Sequence, residues 1–442
     1  MLAAIMLHGC DLMLKFSHIK QAEQSVDKEV TIAGWVHRKR QSGGVAFIIM
    51  RDSTGTMQIA VKKDKVDAAS WKAVTDTTIE SSIIAEGIVK EDKRAPTGFE
   101  LEAANFSNTG ISEPFPITEF QSTELLLDKR HLWLRSQKMT GILKARAYLF
   151  KYLRDFLSEK QFWEVTPPII TKAGGEGGAD MFAIDFFGTK AYLTQSSQLY
   201  LEALVPVLEH VYDLVPSFRA EKSRTVKHLA EYWHLEVEAG YYSQEDNMKL
   251  QEDMIEYVCQ RFVKEQGSLL QSLNVDANRL SVVKAPFKRL TYDEALKQLK
   301  QNGIKKEWLD DIGAEDEKVL TEKEEKPIFI YKWPLKIKAF YMREDPDNPE
   351  FALCSDMQAP HGHGEIVGSS ERVYDYKEMA DRLNKYGLQE KDYYWYTDIR
   401  KYGTIPHSGF GLGVERLLKW MLDLDHIRDA IPFPRMANRV EP

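Results

Sequence analysis

Two stretches of the chain combine residue types at spacings that suit chemistry. In Ser408 to Met421, SGFGLGVERLLKWM, the residues Gly409, Gly411 and Gly413 occupy alternate positions. On a strand they share one face, which is then bare of side chains and open to a flat ligand or another backbone. Val414, Leu417, Leu418, Met421 and Leu422 follow at helical spacing, with Arg416 in the first turn. A bare strand running into a helix that presents an arginine suits a nucleotide, because a guanidinium can stack on a purine or neutralise a phosphate. A glycine-rich packing crossing beside a surface arginine satisfies the same pattern. The second stretch is Pro216 to Glu238, PSFRAEKSRTVKHLAEYWHLEVE, where two apolar strands flank a loop holding Arg219, Lys222, Arg224, Lys227 and His228. Clustered cations on a hairpin suit a polyphosphate, since guanidinium pairs bidentately with its oxygens. Glu221 and Glu236 interrupt the apolar strands, and inward-facing carboxylates there need specific partners. A solvated hairpin laced with surface ion pairs is the alternative.

Other elements must position these segments. From Val30 to about Ile117 short alternating strands recur (Val30–Val36, Ala46–Met50, Met57–Val61, Ser82–Val89, Phe99–Ala104), separated by turns at Ser42-Gly43-Gly44 and Asp52-Ser53-Thr54-Gly55. Five strands at this spacing predict a small closed barrel. Basic residues and Phe47 near one face suit single-stranded nucleic acid, with bases stacking on the ring; a solvated basic loop beside a core Phe is the plainer reading. Residues 107–130, with Pro114 and Pro116, read as a linker. Helical spacing then predicts a helix over Ile142–Ser158, a strand over Phe162–Thr171, and helices at 246–265 and 292–302 among aromatic strands, an α+β pattern. The Lys-, Asp- and Glu-rich segment 302–326 reads as a surface excursion.

Composition narrows the class. With 442 residues, 43% hydrophobic and 29% charged, the chain is long enough for two or three domains and rich enough in core material to fold. No stretch approaches the roughly 20 apolar residues of a membrane span. The apolar opening MLAAIMLHGCDLML lacks a basic region, which argues against a secretory signal and leaves Met13 as an alternative start. Three scattered cysteines exclude a disulfide framework and fit a reducing cytoplasm. The net charge of −8 means that nucleic-acid binding must rest on local basic clusters.

Taken together, the motifs resemble a known family. FRAE at 218–221 with HLAEYWHLE at 228–236 resembles motif 2 of the class II aminoacyl-tRNA synthetases, GFGLGVERL at 409–417 resembles motif 3, and the strand with Pro167-Pro168 resembles the dimer-forming motif 1. A barrel ahead of them matches the subgroup for aspartate, asparagine and lysine. HLAEYWHLE and the segment from Tyr394 to Thr404 resemble its asparaginyl members more than its aspartyl ones. The resemblance implies an α+β chain: an N-terminal extension at 1–14, an OB-fold anticodon-binding barrel at 15–106, a linker at 107–130, and a class II catalytic domain at 131–442. It also implies a homodimer that uses ATP and Mg2+ to join asparagine to its tRNA in the cytoplasm, without a membrane.

The same resemblance implies roles for residues. Arg219 holds the α-phosphate and the substrate carboxylate; Arg416 and Tyr232 sandwich the adenine beside Gly413, and Glu221 reads its amino group. His228 and Arg224 reach the outer phosphates, and Glu365 and Asp356 hold magnesium, as hard oxygen ligands should. Glu176 and Gln198 bind the substrate ammonium. Arg372 and Glu236 read the carboxamide, which offers both an acceptor and donors. Aspartyl members carry a lysine after a Gln-Ser-x-Gln-Leu-aromatic run; here that place is Leu201, so an aspartate carboxylate would be desolvated without its counter-charge. Phe47 and Gln58 keep the spacing of residues that stack on and read the central anticodon base, with Arg38 and Arg51 as basic neighbours. The nearer rival reading is an aspartyl member, one that also charges the asparagine tRNA included. The more distant is a synthetase-like binder or amide ligase.

Overall fold

The computed structural model describes residues 16–118, 120–172, 181–222 and 225–442. They form two units, divided between Ser122 and Thr123.

The first unit is a closed five-stranded barrel built from β1 (Glu29–Ser42), β2 (Val45–Arg51), β3 (Thr56–Lys62), β4 (Ser82–Glu91) and β5 (Phe99–Gly110), in the spatial order β1-β2-β3-β5-β4. Alternation does the work: Ile32, Val36, Ala46, Ile48, Met50, Met57, Ile59 and Val61 point inward and are fully buried, and most residues between them, Gly34 and Ala60 excepted, are at least partly exposed. Helix α1 (Ala68–Asp76), capped by Asp67, packs on β5. The strand β1 runs through His37–Arg40 to Ser42, past the end that alternation indicates, because its pairing with β2 continues to the turn at Gly43. The last strand likewise extends to Gly110, into the segment read as linker, and short helices at Thr123–Asp128 and Arg130–Trp133 occupy that segment's far end.

In the second unit, α2 (Gln137–Glu159) is capped by Ser136 and buries Ile142, Leu149, Leu153 and Phe156 at three- and four-residue spacing. There follow β6 (Trp163–Glu164), α3 (Gln198–Leu208), β7 (His210–Phe218), β8 (Glu231–Gly240), α4 (Gln244–Glu265), β9 (Lys288–Thr291), α5 (Ala314–Thr321), β10 (Ile328–Tyr331), β11 (Cys354–Ala359), β12 (Gly364–Glu371), α6 (Tyr394–Lys401), β13 (His407–Gly413) and α7 (Val414–Met421). The eight strands β6–β13 form one sheet, ordered β9-β10-β11-β12-β13-β8-β7-β6, antiparallel except for the pairs β9–β10 and β7–β6. Leu235, Val237, Phe410, Leu412 and Val367 pack against α2, α4 and α7 in one continuous core.

Two expectations need correction. The strand expected over Phe162–Thr171 is only β6 and a second pair, Ile170–Thr171, in a separate three-stranded sheet. Pro167 and Pro168 have no N–H to give a ladder, and they break it. The segment 302–326 is not a surface excursion throughout, because Ile312 and Leu320 are buried and α5 packs against β11 and β12.

Candidate active site

The hairpin β7–β8 and the glycine strand β13 lie side by side, with His234, Glu236 and Glu238 opposite Gly413, Gly411 and Gly409. Period-2 alternation puts the three β8 side chains on one face. A Cβ on Gly409 would stand 2.2 Å from Glu238 Oε1, and one on Gly411 2.6 Å from His234 Nε2. The bare glycine face therefore first makes room for the protein's own acid and imidazole, which form the floor of a cavity of ≈ 720 Å³.

That cavity has two ends. At one stand Gln198, Glu236, Glu238 and Arg372; at the other Arg219, His228, Glu365, Asp356 and Arg416. A narrower slot continues from the second end between Tyr232, Gly413 and Arg416. Arg219 belongs to both spaces, with its guanidinium 5.8 Å from the Tyr232 ring centre. Arg416, in the first turn of α7, donates to the Glu365 backbone carbonyl at 3.2 Å and its carboxylate at 3.3 Å. His228 is partly buried, and burial together with the Arg416 charge lowers its pKa.

At the other end, Arg372 gives three hydrogen bonds to Glu238, from Nε and one terminal nitrogen, and a fourth to Ser370 at 2.6 Å. Burial pushes the Glu238 carboxyl up, and the Arg372 guanidinium opposes that. Glu236 accepts from the Ser196 hydroxyl and from the backbone N–H and hydroxyl of Ser197. An ionised carboxylate has about four acceptor sites, so Glu236 keeps capacity for one further donor. Beside it on β7, burial and the Glu236 charge push the fully buried Asp213 carboxyl well above the usual range. Unfolded, that carboxyl gives up its proton near pH 4; folded, it keeps the proton to higher pH. Asp213 therefore costs stability as the pH rises above that value. Asp213→Asn is expected to raise the thermal midpoint at pH 8 and to raise it less near pH 4, as read by calorimetry across pH.

These features point to a single family. A family model described as "tRNA synthetases class II (D, K and N)" matches residues 122–437, and an "OB-fold nucleic acid binding domain" model matches 30–108. The chain is 46% identical over 415 residues to an asparagine–tRNA ligase of Thermococcus gammatolerans, covering 94% of this chain and 96% of that one. It is 43% identical to one of Thermoplasma acidophilum, over 94% and 97%. The crystal structure of asparaginyl-tRNA synthetase from Pyrococcus horikoshii complexed with asparaginyl-adenylate superposes with a TM-score of 0.95 at 44% identity, covering 97% of this chain and 100% of that one. The chain belongs to the class II tRNA synthetases.

Within this synthetase, the expected site residues fall into three groups. Arg219, His228, Tyr232, Glu365, Gly413, Arg416, Asp356, Gln198, Glu236 and Arg372 line the two spaces. Glu176 and Arg224 lie outside the described residues. Leu201 and Glu221 do not line them: Leu201 is fully buried against Val205 and Val211, on the side of α3 turned to β7. Leu201 does not border the ligand space, so the expectation that it faces the substrate side chain needs correction.

Sequence reasoning missed three members. Glu238 was legible as the next alternate position after His234 and Glu236. Lys338 had no local signature, yet it is partly buried, pairs with Asp356 at 2.8 Å and sits 3.8 Å from the Trp333 ring centre. Glu317 on α5 pairs with Lys227 of the hairpin loop at 2.9 Å, which brings the segment 302–326 into the cavity wall.

Asp356 and Glu365 suit a hard cation. A Cβ on Gly368 would lie 3.4 Å from Glu365 Oε1 and 3.7 Å from Asp356 Oδ1, so the oxygens least engaged by Lys338 and Arg416 border one side-chain-free spot. Burial pushes Asp356 up to about 6 despite Lys338, with the Glu365 charge adding to the rise. Burial also opposes the charge on Glu365, but Arg416, Lys338 and Arg219 outweigh it and lower its pKa. Carboxylate oxygens are the ligand type a hard divalent ion takes.

On the barrel, register puts Arg38, Ile49 and Gln58 in one row and Arg40, Phe47 and the buried Ala60 in the next. Phe47 is 42% exposed, as a stacking platform must be. Arg51 instead pairs with Glu80 at 2.5 Å and lies over the exposed Trp35, while Gln58 donates to Glu100 at 2.9 Å. Lys39 caps the carbonyl end of α1, bonding Val74 and Thr77.

Proposed function

We infer that this chain is an ATP-dependent asparagine–tRNA ligase working through asparaginyl-adenylate. The observation that carries this is the two-ended cavity in which Arg219 stands between an amino-acid end and a nucleotide slot, in a chain similar along nearly its whole length to asparagine–tRNA ligases.

In the first step a carboxylate oxygen of asparagine attacks the α-phosphorus of ATP. The new P–O bond forms as the bond to the β-phosphate oxygen breaks, and pyrophosphate leaves with that electron pair. Arg219 bonds both the carboxylate and the α-phosphate, so it orients attack and spreads the developing charge. Arg416 and Tyr232 hold the adenine between them. His228 donates to the outer phosphates, and Lys227 can join it on leaving Glu317. Asp356 and Glu365 would hold Mg2+, which supplies charge neutralisation on the phosphates. Gln198 accepts from the ammonium, Arg372 donates to the carboxamide oxygen, and Glu236 accepts from the carboxamide NH2. In the second step the terminal 3′ hydroxyl of the tRNA attacks the acyl carbon and AMP departs.

The barrel reads the anticodon, with Phe47 stacking on a base, Gln58 hydrogen-bonding it, and Arg38 and Arg51 near the backbone. Stacking on an aromatic ring contributes about 1–3 kcal/mol per base. Phe47→Ala is therefore expected to raise KM for tRNA about tenfold or more while leaving tRNA-independent pyrophosphate exchange unchanged. The chain pairs with a second copy through exposed apolar side chains around the Pro167–Pro168 segment, Trp163, Ile170, Phe182 and Phe187 among them. Among the described residues no helix is long and apolar enough to cross a membrane, and we place the enzyme's work in the cytoplasm. Charging of an asparagine tRNA transcript with labelled asparagine tests the function; charging with aspartate in its place would refute it.

A further inference from the structure

Gln198 is held from behind by a charged cluster that the mechanism above does not use. One turn further along α3, Glu202 is wholly buried. Its Oε1 accepts from Gln198 Nε2 at 3.0 Å and from the Tyr396 hydroxyl at 2.8 Å. Its Oε2 pairs with the Arg400 guanidinium and lies 3.0 Å from His407 Nε2. The other ring nitrogen of His407 is 2.8 Å from the Ile405 carbonyl. Arg400 is fixed in turn by the Val373 carbonyl at 3.1 Å and by the Tyr396 ring, 3.9 Å from its centre. The cluster thus ties α3 to α6 and β13. Burial opposes the charge on Glu202, but Arg400 and His407 outweigh it and hold the carboxyl well below its ordinary range.

Stability alone gives little reason for this arrangement, since buried ion pairs commonly do no better than an apolar cluster of the same volume. Its directed product is the orientation of one side chain. A carboxamide has one accepting and one donating end. An ionised carboxylate can only accept, so Glu202 takes the NH2 of Gln198 and leaves its carbonyl oxygen for the cavity. That oxygen is the end an ammonium requires.

We propose that Glu202 is a positioning residue for asparagine binding, acting through Gln198 by fixing its carboxamide with the oxygen toward the ligand. The inference rests on the assignment of Gln198 to the amino-acid end.

The test is a double-mutant cycle read by ATP–pyrophosphate exchange without tRNA, on wild type, Glu202→Gln, Gln198→Ala and the double variant. Glutamine at 202 can offer either end to Gln198, so the orientation is lost. The expected result is a KM for asparagine raised about tenfold in Glu202→Gln, with KM for ATP within twofold of wild type. In the Gln198→Ala background the same substitution should add nothing. Equal factors in both backgrounds, or a parallel rise in KM for ATP, would overturn the proposal and leave Glu202 a structural residue. Where Glu202→Gln alone is too unstable to assay, Glu202→Gln with Arg400→Leu removes the stranded guanidinium and enters the same cycle with the same expectation. A Gln198→Ala variant with unchanged KM for asparagine would overturn both this inference and the Gln198 assignment. Loss of exchange in the wild type would instead refute asparagine activation itself.

Discussion

Arg219→Ala is expected to lower kcat for asparagine-dependent pyrophosphate exchange by roughly 10²–10³-fold, the usual loss when a preorganised charge-stabilising donor is removed. Arg219 closes the hairpin β7–β8, its N–H bonded to the Ala230 carbonyl at 2.9 Å, and its side chain lines both the large cavity and the narrower slot. Arg416 lines both spaces as well, but its guanidinium is paired with Glu365. The fall should appear mainly in kcat, because the bonds to the α-phosphate strengthen as its charge develops. Arg219→Lys is expected to recover little, since a point charge cannot bond carboxylate and phosphate together. Full activity in either variant would remove Arg219 from the mechanism.

The second large effect concerns Arg372. Its guanidinium is 3% exposed and gives three bonds to Glu238 and one to Ser370. Arg372→Ala is expected to lower kcat/KM for asparagine about 10²-fold, in line with about 1.5–3 kcal/mol for a hydrogen bond to a charged group. It should also destabilise the fold by about 3–5 kcal/mol, because Glu238 is left buried without its partner. Arg372→Ala with Glu238→Gln separates the two effects: the thermal midpoint should recover most of its loss while asparagine binding stays weak. If the double variant regained both, Arg372 would be a structural residue only.

Much of this architecture is readable from local sequence because local physics sets it. Alternating Ile32, Ile48 and Ile59 define the barrel's inside, and Val414, Leu417, Leu418 and Met421 define the buried face of α7. The hairpin and the glycine strand are legible for the same reason, and their pairing brings Arg219 and Arg416 to one site. What the sequence hides is the partner of each charge. Arg51 is basic and on the same strand as Phe47, but Glu80 already pairs with it. Leu201 sits at a telling position in the sequence, yet the phase of α3 turns it toward Val205 and Val211 and sends Gln198 to the cavity. Lys338 and Glu317 reach Asp356 and Lys227 across long stretches of chain, so no spacing rule brings them together. Glu238 is the exception, because strand alternation alone places it with Glu236.

The most direct test of the central claim is ATP–pyrophosphate exchange with asparagine or aspartate supplied separately and no tRNA present. Exchange with asparagine and background turnover with aspartate is the expected result. It would establish adenylate formation and selection of the carboxamide in one experiment. Exchange with aspartate equal to or above that with asparagine would contradict the account at its centre, in the reading of Gln198, Glu236 and Arg372 as an asparagine site.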